Sequence, residues 1–502
     1  MSTIRGMRGY LASSIAVTCA AVLALPLTSP SSALADTSRR ANAQSPVNAE
    51  RPANADRPAA VARSAVFAKP AVFAKPAVFE VPGAAVPETP AVPGSTRSLP
   101  LAPLASDRAL GAAPVQGLHR RDVPRFSLVG VVWDDPDTEL RGDVQVRTRS
   151  AGTGTWSTWQ DVDTHNRAHA ADPDTDERTS GRVRGSTAPL WVGESDGVEV
   201  RVQAKPHEHE GGERAVRSRP LPSGLRLELV DPGEGPPPQG PELQAPNAVS
   251  LTPASAAASA VNADLAPLGA TAIPELTRKQ TQEDLLATRG IEGAEGAATN
   301  PYIGPRPRII TRRGWSADEG LRERHFSYTK SVRAAFVHHS ATGNNYRCSQ
   351  ASSVIRSIYR YHVKSSGWRD IGYNFLVDKC GNIYEGRAGG VTKPVQGAHT
   401  LGFNGNSMGI AVLGSFNHEK PPAPAVQGVA RLTAWKLGLY GANPAGKTYL
   451  KSGGGNLFRK GKNVRLNVIS GHRDGFATEC PGARLYAKLH QARTTSARFQ
   501  GR

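Results

Sequence analysis

From residue 120 to residue 231 apolar and polar positions alternate in short runs, "FSLVGVVW", "GDVQVRTRS", "PLWVG", "VEVRVQA" and "LRLELV", set apart by Gly, Asp and Pro. Alternation with a period of two buries one face of a strand and leaves the other to solvent. Five or more such strands at this spacing predict an all-β, sandwich-like antiparallel domain over residues 119–231. Beyond residue 301 the pattern changes. "VRAAFVHHS" reads as a strand whose alternation sends His338 and His339 to opposite faces. "SVIRSIYRYHV" reads as a helix with Val354, Ile358 and His362 on one stripe, and "GYNFLVDKCGNIYEGR" as a hairpin turning around Lys379 to Asn382. "MGIAVLGSF" is a continuous apolar strand, "AVQGVARLTAWKLGLYG" a helix stopped by Gly441, and "RLNVIS" a second buried strand. Helices alternate with strands, so residues 301–492 form an α/β domain and 493–502 a basic tail.

The stretches 36–118 and 232–300 are rich in Pro and Ala and lack apolar periodicity, so both read as linkers. Within the first, "AVFAKPAVFAKPAVFEVP" repeats every six residues. Its regular prolines disfavour helix and central strand and predict an extended spacer, with Lys69 and Lys75 available to touch a polyanion. At the start, Arg5 and Arg8 precede an apolar run and then Ala33-Leu34-Ala35, the pattern of a cleaved secretory signal over residues 1–35. Ser13, Ser14 and Pro26 shorten the apolar run, which disfavours the alternative of an uncleaved membrane anchor. The expectation is a secreted, cell-wall-associated chain with no stable membrane insertion after signal cleavage.

Cys19 would leave with the signal, and Cys348, Cys380 and Cys480 remain. Cys348 precedes a helical pattern and Cys380 sits at a hairpin turn. A disulfide between them closes a loop of about 33 residues, worth roughly 3–4 kcal/mol in the chain-entropy view. Cys480 is then left over, and a free secreted thiol asks for its own explanation.

The net charge of +18 is unevenly spread: residues 301–502 carry 31 Lys and Arg against 9 Asp and Glu. No helix-turn-helix, zinc-finger spacing or RNP-like aromatic strand accompanies this charge, so nucleic acid is not the expected partner. Anionic cell-wall polymers are reached by the same long-range attraction, although a merely solvated basic surface gives the same count. In the β domain, Trp156 and Trp159 could form a carbohydrate platform or pack at the sheet's core or edge. No nucleophile or ligand cluster stands out there, so it reads as an accessory module.

The candidate chemistry sits in "GHRDGFATECPG". His338 ends one central strand and His472 follows another, and open α/β sheets place ligands at strand ends. Cys480 precedes Pro481-Gly482 and the helical pattern "ARLYAKLHQAR", where the positive end of a helix dipole would favour a thiolate. Two imidazoles and one thiolate form a three-ligand tetrahedral set with a fourth position open to water, the catalytic zinc pattern. A pair of core histidines beside an odd cysteine accounts for the same spacing equally well.

Four motifs in order, "FVHHSAT", "GWRDIGYNFLVDKCGNIYEGR", "GAHTLGFNGNSMGIAVLG" and "ISGHRDGFATECPG", resemble the peptidoglycan recognition protein and type 2 N-acetylmuramoyl-L-alanine amidase family over roughly residues 305–490. The resemblance implies a mixed central sheet flanked by helices, a groove over Zn2+, and the ligands His338, His472 and Cys480. It implies peptidoglycan as partner and cleavage of the amide between the lactyl group of N-acetylmuramic acid and L-alanine. It assigns catalytic roles to Tyr373, as a donor to the oxyanion, and to Thr478, and places His399 and Asn404 on the substrate side, where each could equally serve as a loop residue satisfying backbone groups. Thr478 stands where many members carry lysine and cannot supply that charge. No glutamate of the helical HExxH kind lies beside the ligands, and Glu385 reads as a structural partner of Arg387 or Arg369. His325, His339, His362 and His490 are expected to be structural or solvated. The alternative is a non-catalytic peptidoglycan-binding protein using the same groove. Binding-only members tend to lack the ligand cysteine, and Cys480 is present.

Overall fold

The computed structural model describes residues 93–104, 115–205, 220–234, 251–289 and 301–502. The expected signal segment and the six-residue repeat lie outside the described residues.

Among the described residues the accessory domain has eight strands: β1 (Ser95–Pro100), β2 (Ala102–Pro103), β3 (Val115–Trp133), β4 (Gly142–Ser150), β5 (Gln160–Val162), β6 (Gly185–Ser186), β7 (Leu190–Ala204) and β8 (Arg226–Asp231). They form one connected antiparallel sheet in the order β1-β8-β3-β7-β4-β5, with β2 and β6 also paired to β3. The sandwich-like expectation thus becomes a single sheet whose long strand β3 shifts register against β7 at three places, and such bulges bend a strand. Strands β1 and β2 and the start of β3 draw residues 95–100, 102–103 and 115–118 into the sheet. The domain therefore begins before residue 119, and these residues are not linker.

Alternation does not hold along β3, where every residue from Phe126 to Trp133 is buried. One face, with Val129, Val131, Val146, Val200 and Leu229, forms the domain's own core. The other, with Leu128, Val132 and Val230, packs on Val354, Ile355, Ile358 and Tyr361 of the C-terminal domain. Gly130 permits this contact, since a Cβ there would lie 2.3 Å from the Tyr361 hydroxyl. Trp156 and Trp159 are neither core nor an open platform. Arg120 stacks on Trp156, Arg201 on Trp159 and Arg147 on both, with guanidinium carbons 4.4–5.8 Å from the ring centres.

The C-terminal sheet has seven strands: β9 (Ala272–Ile273), β10 (Ile309–Ile310), β11 (Ala334–His339), β12 (Phe375–Val377), β13 (Ile383–Glu385), β14 (Ser407–Val412) and, beyond the hairpin β15 (Lys447–Lys451) and β16 (Asn463–Asn467), β17 (Ile469–Gly471). Their order is β17-β11-β14-β12-β13-β10-β9. Pairing is mixed: β11 lies parallel to β14 and β17, while β12 and β13 form the expected hairpin. Residues 251–289 are not linker either. They supply β9 and the helices α2 (Pro253–Ala260) and α3 (Arg278–Arg289), which follow the short α1 (Asp176–Thr179) of the accessory domain.

Helix α4 (Ala351–Arg360) packs on one face of the sheet, and α5 (Ala423–Gly438) and α7 (Leu489–Gln500) on the other, with α6 (Ala483–Tyr486) between the site and α7. The expected basic tail is the second half of α7, with Ser496, Ala497 and Gln500 buried. A disulfide joins Cys348, at the start of the α4 region, to Cys380 in the β12–β13 turn. Among the described residues Cys480 is the free cysteine, and it is buried.

Candidate metal centre

Strand β11 lies next to the end strand β17, between two parallel neighbours, so its last residues emerge at the carboxyl edge where ligands gather. There His338 presents Nδ1 at 3.1 Å from Nδ1 of His472. His472 opens the tight turn that follows β17, and Asp474 holds that turn by accepting from the Gly471 N–H at 2.9 Å and from the Tyr486 hydroxyl at 2.6 Å. The chain then loops back to Cys480, whose carbonyl accepts from the Arg473 N–H at 3.0 Å. Cys480 Sγ lies 3.7 Å from His338 Nδ1. His339 points away from the cluster, and its Nδ1 accepts from the Phe416 N–H. The expected division of the two adjacent histidines matches this placement.

The fourth corner is filled from the accessory domain. His169 Nε2 lies 3.3 Å from His338 Nδ1 and 3.6 Å from Cys480 Sγ. The donor atoms of His169, His338, His472 and Cys480 all lie within 4.8 Å of one another, and all four side chains are buried. Zinc binds imidazole nitrogen at about 2.0–2.1 Å and thiolate sulfur at about 2.3 Å, so tetrahedral edges are about 3.3–3.4 Å between nitrogens and about 3.6 Å from nitrogen to sulfur. Four of the six separations, 3.1, 3.3, 3.6 and 3.7 Å, lie close to these edges, and two or three imidazoles with one thiolate are a donor set that fits zinc.

Electrostatics agree for the histidines. Burial, with the neighbouring imidazoles, holds His338 and His472 well below the ordinary histidine range, and burial does the same to His169. They are neutral, as ligands must be. Cys480 departs from the helix-dipole expectation. The α6 helix that follows has only four residues, and burial pushes the thiol up rather than down. A thiolate here would need a bound cation to stabilise it, since no helix dipole of any length is at hand.

Tyr373 lies beside the cluster, its ring centre 5.5 Å from that of His338, and burial raises its pKa so that the hydroxyl keeps its proton. Thr478 accepts from the Cys480 N–H at 3.3 Å and so steadies the ligand loop. His399 does not line an open groove. Its Nδ1 lies 3.3 Å from His338 Nε2 and 3.0 Å from the Thr400 hydroxyl, behind the ligand. Asn404 caps the same loop, accepting from the N–H groups of His399 and Thr400. Glu385 is not the partner of Arg387 or Arg369. It accepts from Asn262 and from the Arg312 N–H, and burial pushes its carboxyl up to about 7. His362 is buried, with its ring 4.3 Å from Trp368, and is structural.

Sequence reasoning missed His169, Asp172 and Glu177, all in the stretch between β5 and β6. Asp172 accepts from the Gly402 N–H and from Asn404, each at 2.7 Å. Glu177 takes both arms of Arg387 at 2.8 Å. "HNRAHAADPDTDER" has no periodicity and no ligand spacing of its own, and its partners are far away in the chain.

An α/β domain with a buried group of three histidines and one cysteine able to hold a metal ion is the class that fold and site define. Residues 328–483 match the N-acetylmuramoyl-L-alanine amidase family, and residues 82–223 match an N-terminal galactose-binding domain-like family. Peptidoglycan-recognition protein SC2 of Drosophila simulans is 34% identical over 183 residues, 36% of this chain and 84% of the relative. Peptidoglycan-recognition protein LE of Drosophila melanogaster is 40% identical over 126 residues, 25% of this chain and 35% of the relative. A solved structure of Drosophila PGRP-LB is 27% identical, covering 36% of this chain and 92% of that one with a TM-score of 0.29. The chain belongs to the peptidoglycan recognition protein and type 2 amidase family. It thereby stands among proteins that bind or hydrolyse peptidoglycan. Among the described residues no helix is long and apolar enough to cross a membrane.

Proposed function

We propose that the chain is a secreted, zinc-dependent N-acetylmuramoyl-L-alanine amidase that cleaves the bond between the lactyl group of N-acetylmuramic acid and L-alanine of the stem peptide. The carrying observation is Cys480, whose sulfur lies at the tetrahedral edge distance from His338 Nδ1. His338, His472 and Cys480 would hold a zinc ion, which when bound would supply Lewis-acid polarisation of the scissile carbonyl and activation of a water.

The residues around it do the remaining work. His399, against the far nitrogen of His338, fixes the orientation of that ring, as outer-shell partners of ligating histidines do. Thr478 holds the backbone of the ligand cysteine. Tyr373, kept protonated by burial, offers a donor to the oxyanion that develops on the carbonyl oxygen, a contribution of roughly 3–4 kcal/mol in comparable sites. The basic surface of residues 301–502 favours association with an anionic cell wall.

The test is incubation of purified muropeptides with the intact chain and with His169→Ala, with and without a chelator, followed by mass analysis. The expected products are a lactyl sugar and a stem peptide with a free L-alanine amine, lost on chelation. Retention of muropeptides without cleavage by either protein would leave the non-catalytic binding reading in place.

A further inference from the structure

We propose that His169 is a displaceable fourth metal ligand, and that the segment between β5 and β6 of the accessory domain holds the site closed until it moves. This rests on the metal-hydrolase reading above and extends it to regulation. Four protein ligands form the closed arrangement of structural zinc sites, in which neither water nor substrate carbonyl has a place. A catalytic site keeps one position free, and here that position is taken by a side chain from another domain.

The geometry points to a ligand rather than to ordinary packing. His169 aims Nε2 at His338 Nδ1 and Cys480 Sγ, while its Nδ1 is buried without a hydrogen-bond partner. A neutral ring nitrogen offers one N–H or one lone pair, so His338 Nδ1 cannot fully satisfy both His472 Nδ1 at 3.1 Å and His169 Nε2 at 3.3 Å, whereas a cation among the three would satisfy them all.

The segment is anchored on both sides of this point. The Leu401 N–H donates to the Ala168 carbonyl at 2.9 Å, and Asn404 donates to the Ala170 carbonyl at 2.9 Å. Asp172 and Glu177 add the polar contacts to Gly402, Asn404 and Arg387. Gly367 allows the far end to dock, since a Cβ there would meet the Arg182 carbonyl at 2.0 Å.

The character of these anchors makes release feasible. The apolar part of the segment consists chiefly of alanines: Ala168 and Ala170 against Leu401 and Phe476, and Ala171, with Val183, against Trp368 and Ala398. Methyl groups bury little area and neutral hydrogen bonds exchange with water at small net cost, so the buried Glu177–Arg387 ion pair is the anchor that chiefly holds the segment shut. The contact of β3 and β8 with α4 is instead built from Leu, Val, Ile and Tyr. The segment can therefore leave the site while the domains stay joined. A site open for only a small fraction of the time turns over at that fraction of its intrinsic rate.

The test uses the intact chain loaded with cobalt(II) in place of zinc, its visible spectrum followed as azide is added. The wild-type spectrum is expected to stay unmoved, because no coordination position is free. His169→Ala should respond to azide, and its zinc form should cleave muropeptides at least about tenfold faster than wild type. Asp172→Ala with Glu177→Gln keeps all four donors and loosens only the anchors. It should respond at azide concentrations that leave wild type unchanged, and it serves if His169→Ala does not fold. An azide response in wild type equal to that of the variants would overturn the proposal. Equal hydrolysis by wild type and His169→Ala would overturn it too, while leaving the hydrolase reading intact. The expected spectra with no hydrolysis by any protein would support the closed site and sink the hydrolase reading instead.

Discussion

The accessory sheet and the C-terminal sheet both bury two faces, but they reach that state by different routes. The C-terminal sheet carries its own helices, α4 on one side and α5 and α7 on the other, as parallel strands require. The accessory sheet covers one face with its own core and borrows α4 for the other. One helix thus serves two sheets. A module that shares its packing partner with the domain it accompanies has a fixed position on that domain, and a loop projecting from it is aimed. The His169 segment follows from that arrangement. The accessory region is a part of the site rather than a tethered neighbour.

The sharpest way to break the comparison is Cys480→Ser, which exchanges a soft thiolate for a poor zinc ligand in nearly the same shape. Zinc content and hydrolysis are expected to fall together to background, measured by metal analysis and muropeptide cleavage. Peptidoglycan retention should persist. Full zinc and full activity in this variant would mean that Cys480 is a structural thiol.

Tyr373→Phe should come next, lowering kcat by roughly a hundredfold to a thousandfold while zinc content is unchanged, because a donor is lost and no ligand is touched. Single-turnover kinetics beside metal analysis separates this from loss of the ion.

Leu128→Ala probes the shared interface directly. The side chain is fully buried against the α4 cluster, and its truncation should cost about 2–5 kcal/mol. Calorimetry should show one unfolding transition in wild type and a lowered midpoint for the whole molecule in the variant. Two independent transitions, with only the first shifted, would mean that the regions are separate bodies.

The smallest effect expected concerns surface charge. The β15–β16 hairpin exposes Lys447, Lys451 and Lys462, and exposed charges lose their reach beyond a Debye length of about 8 Å at physiological salt. Lys447→Glu with Lys451→Glu should weaken sedimentation with anionic cell walls a few-fold at low salt and little at high salt. An equal effect at both would assign the binding to contacts other than long-range attraction.

Much of the C-terminal domain was legible because its signals are local. The apolar run of β14, the β12–β13 turn and the ends of β11 and β17 each follow from a few adjacent residues, and four motifs in order carried the family and named three of the four donors that the structure brings together. The Cys348–Cys380 pairing was legible from where the two cysteines sit. The boundaries were not. Residues 95–103 and 251–289 are rich in Pro, Ala and small polar residues, and they are ordered by strands and helices that only their partners complete. Glu385 was given the wrong partner, and the choice between groove and loop for His399 stayed open, since the identity of a buried polar partner depends on which side chain arrives from elsewhere.

The sequence by itself therefore determined the donor types, the strand ends that carry His338 and His472, and the loop that returns Cys480 beside them. Only the tertiary structure decided that His169 takes the fourth corner. It stands 169 positions and a domain boundary away from His338 along the chain. No helical or strand period reaches across such a distance, and the contact exists because α4 fixes the accessory sheet in place.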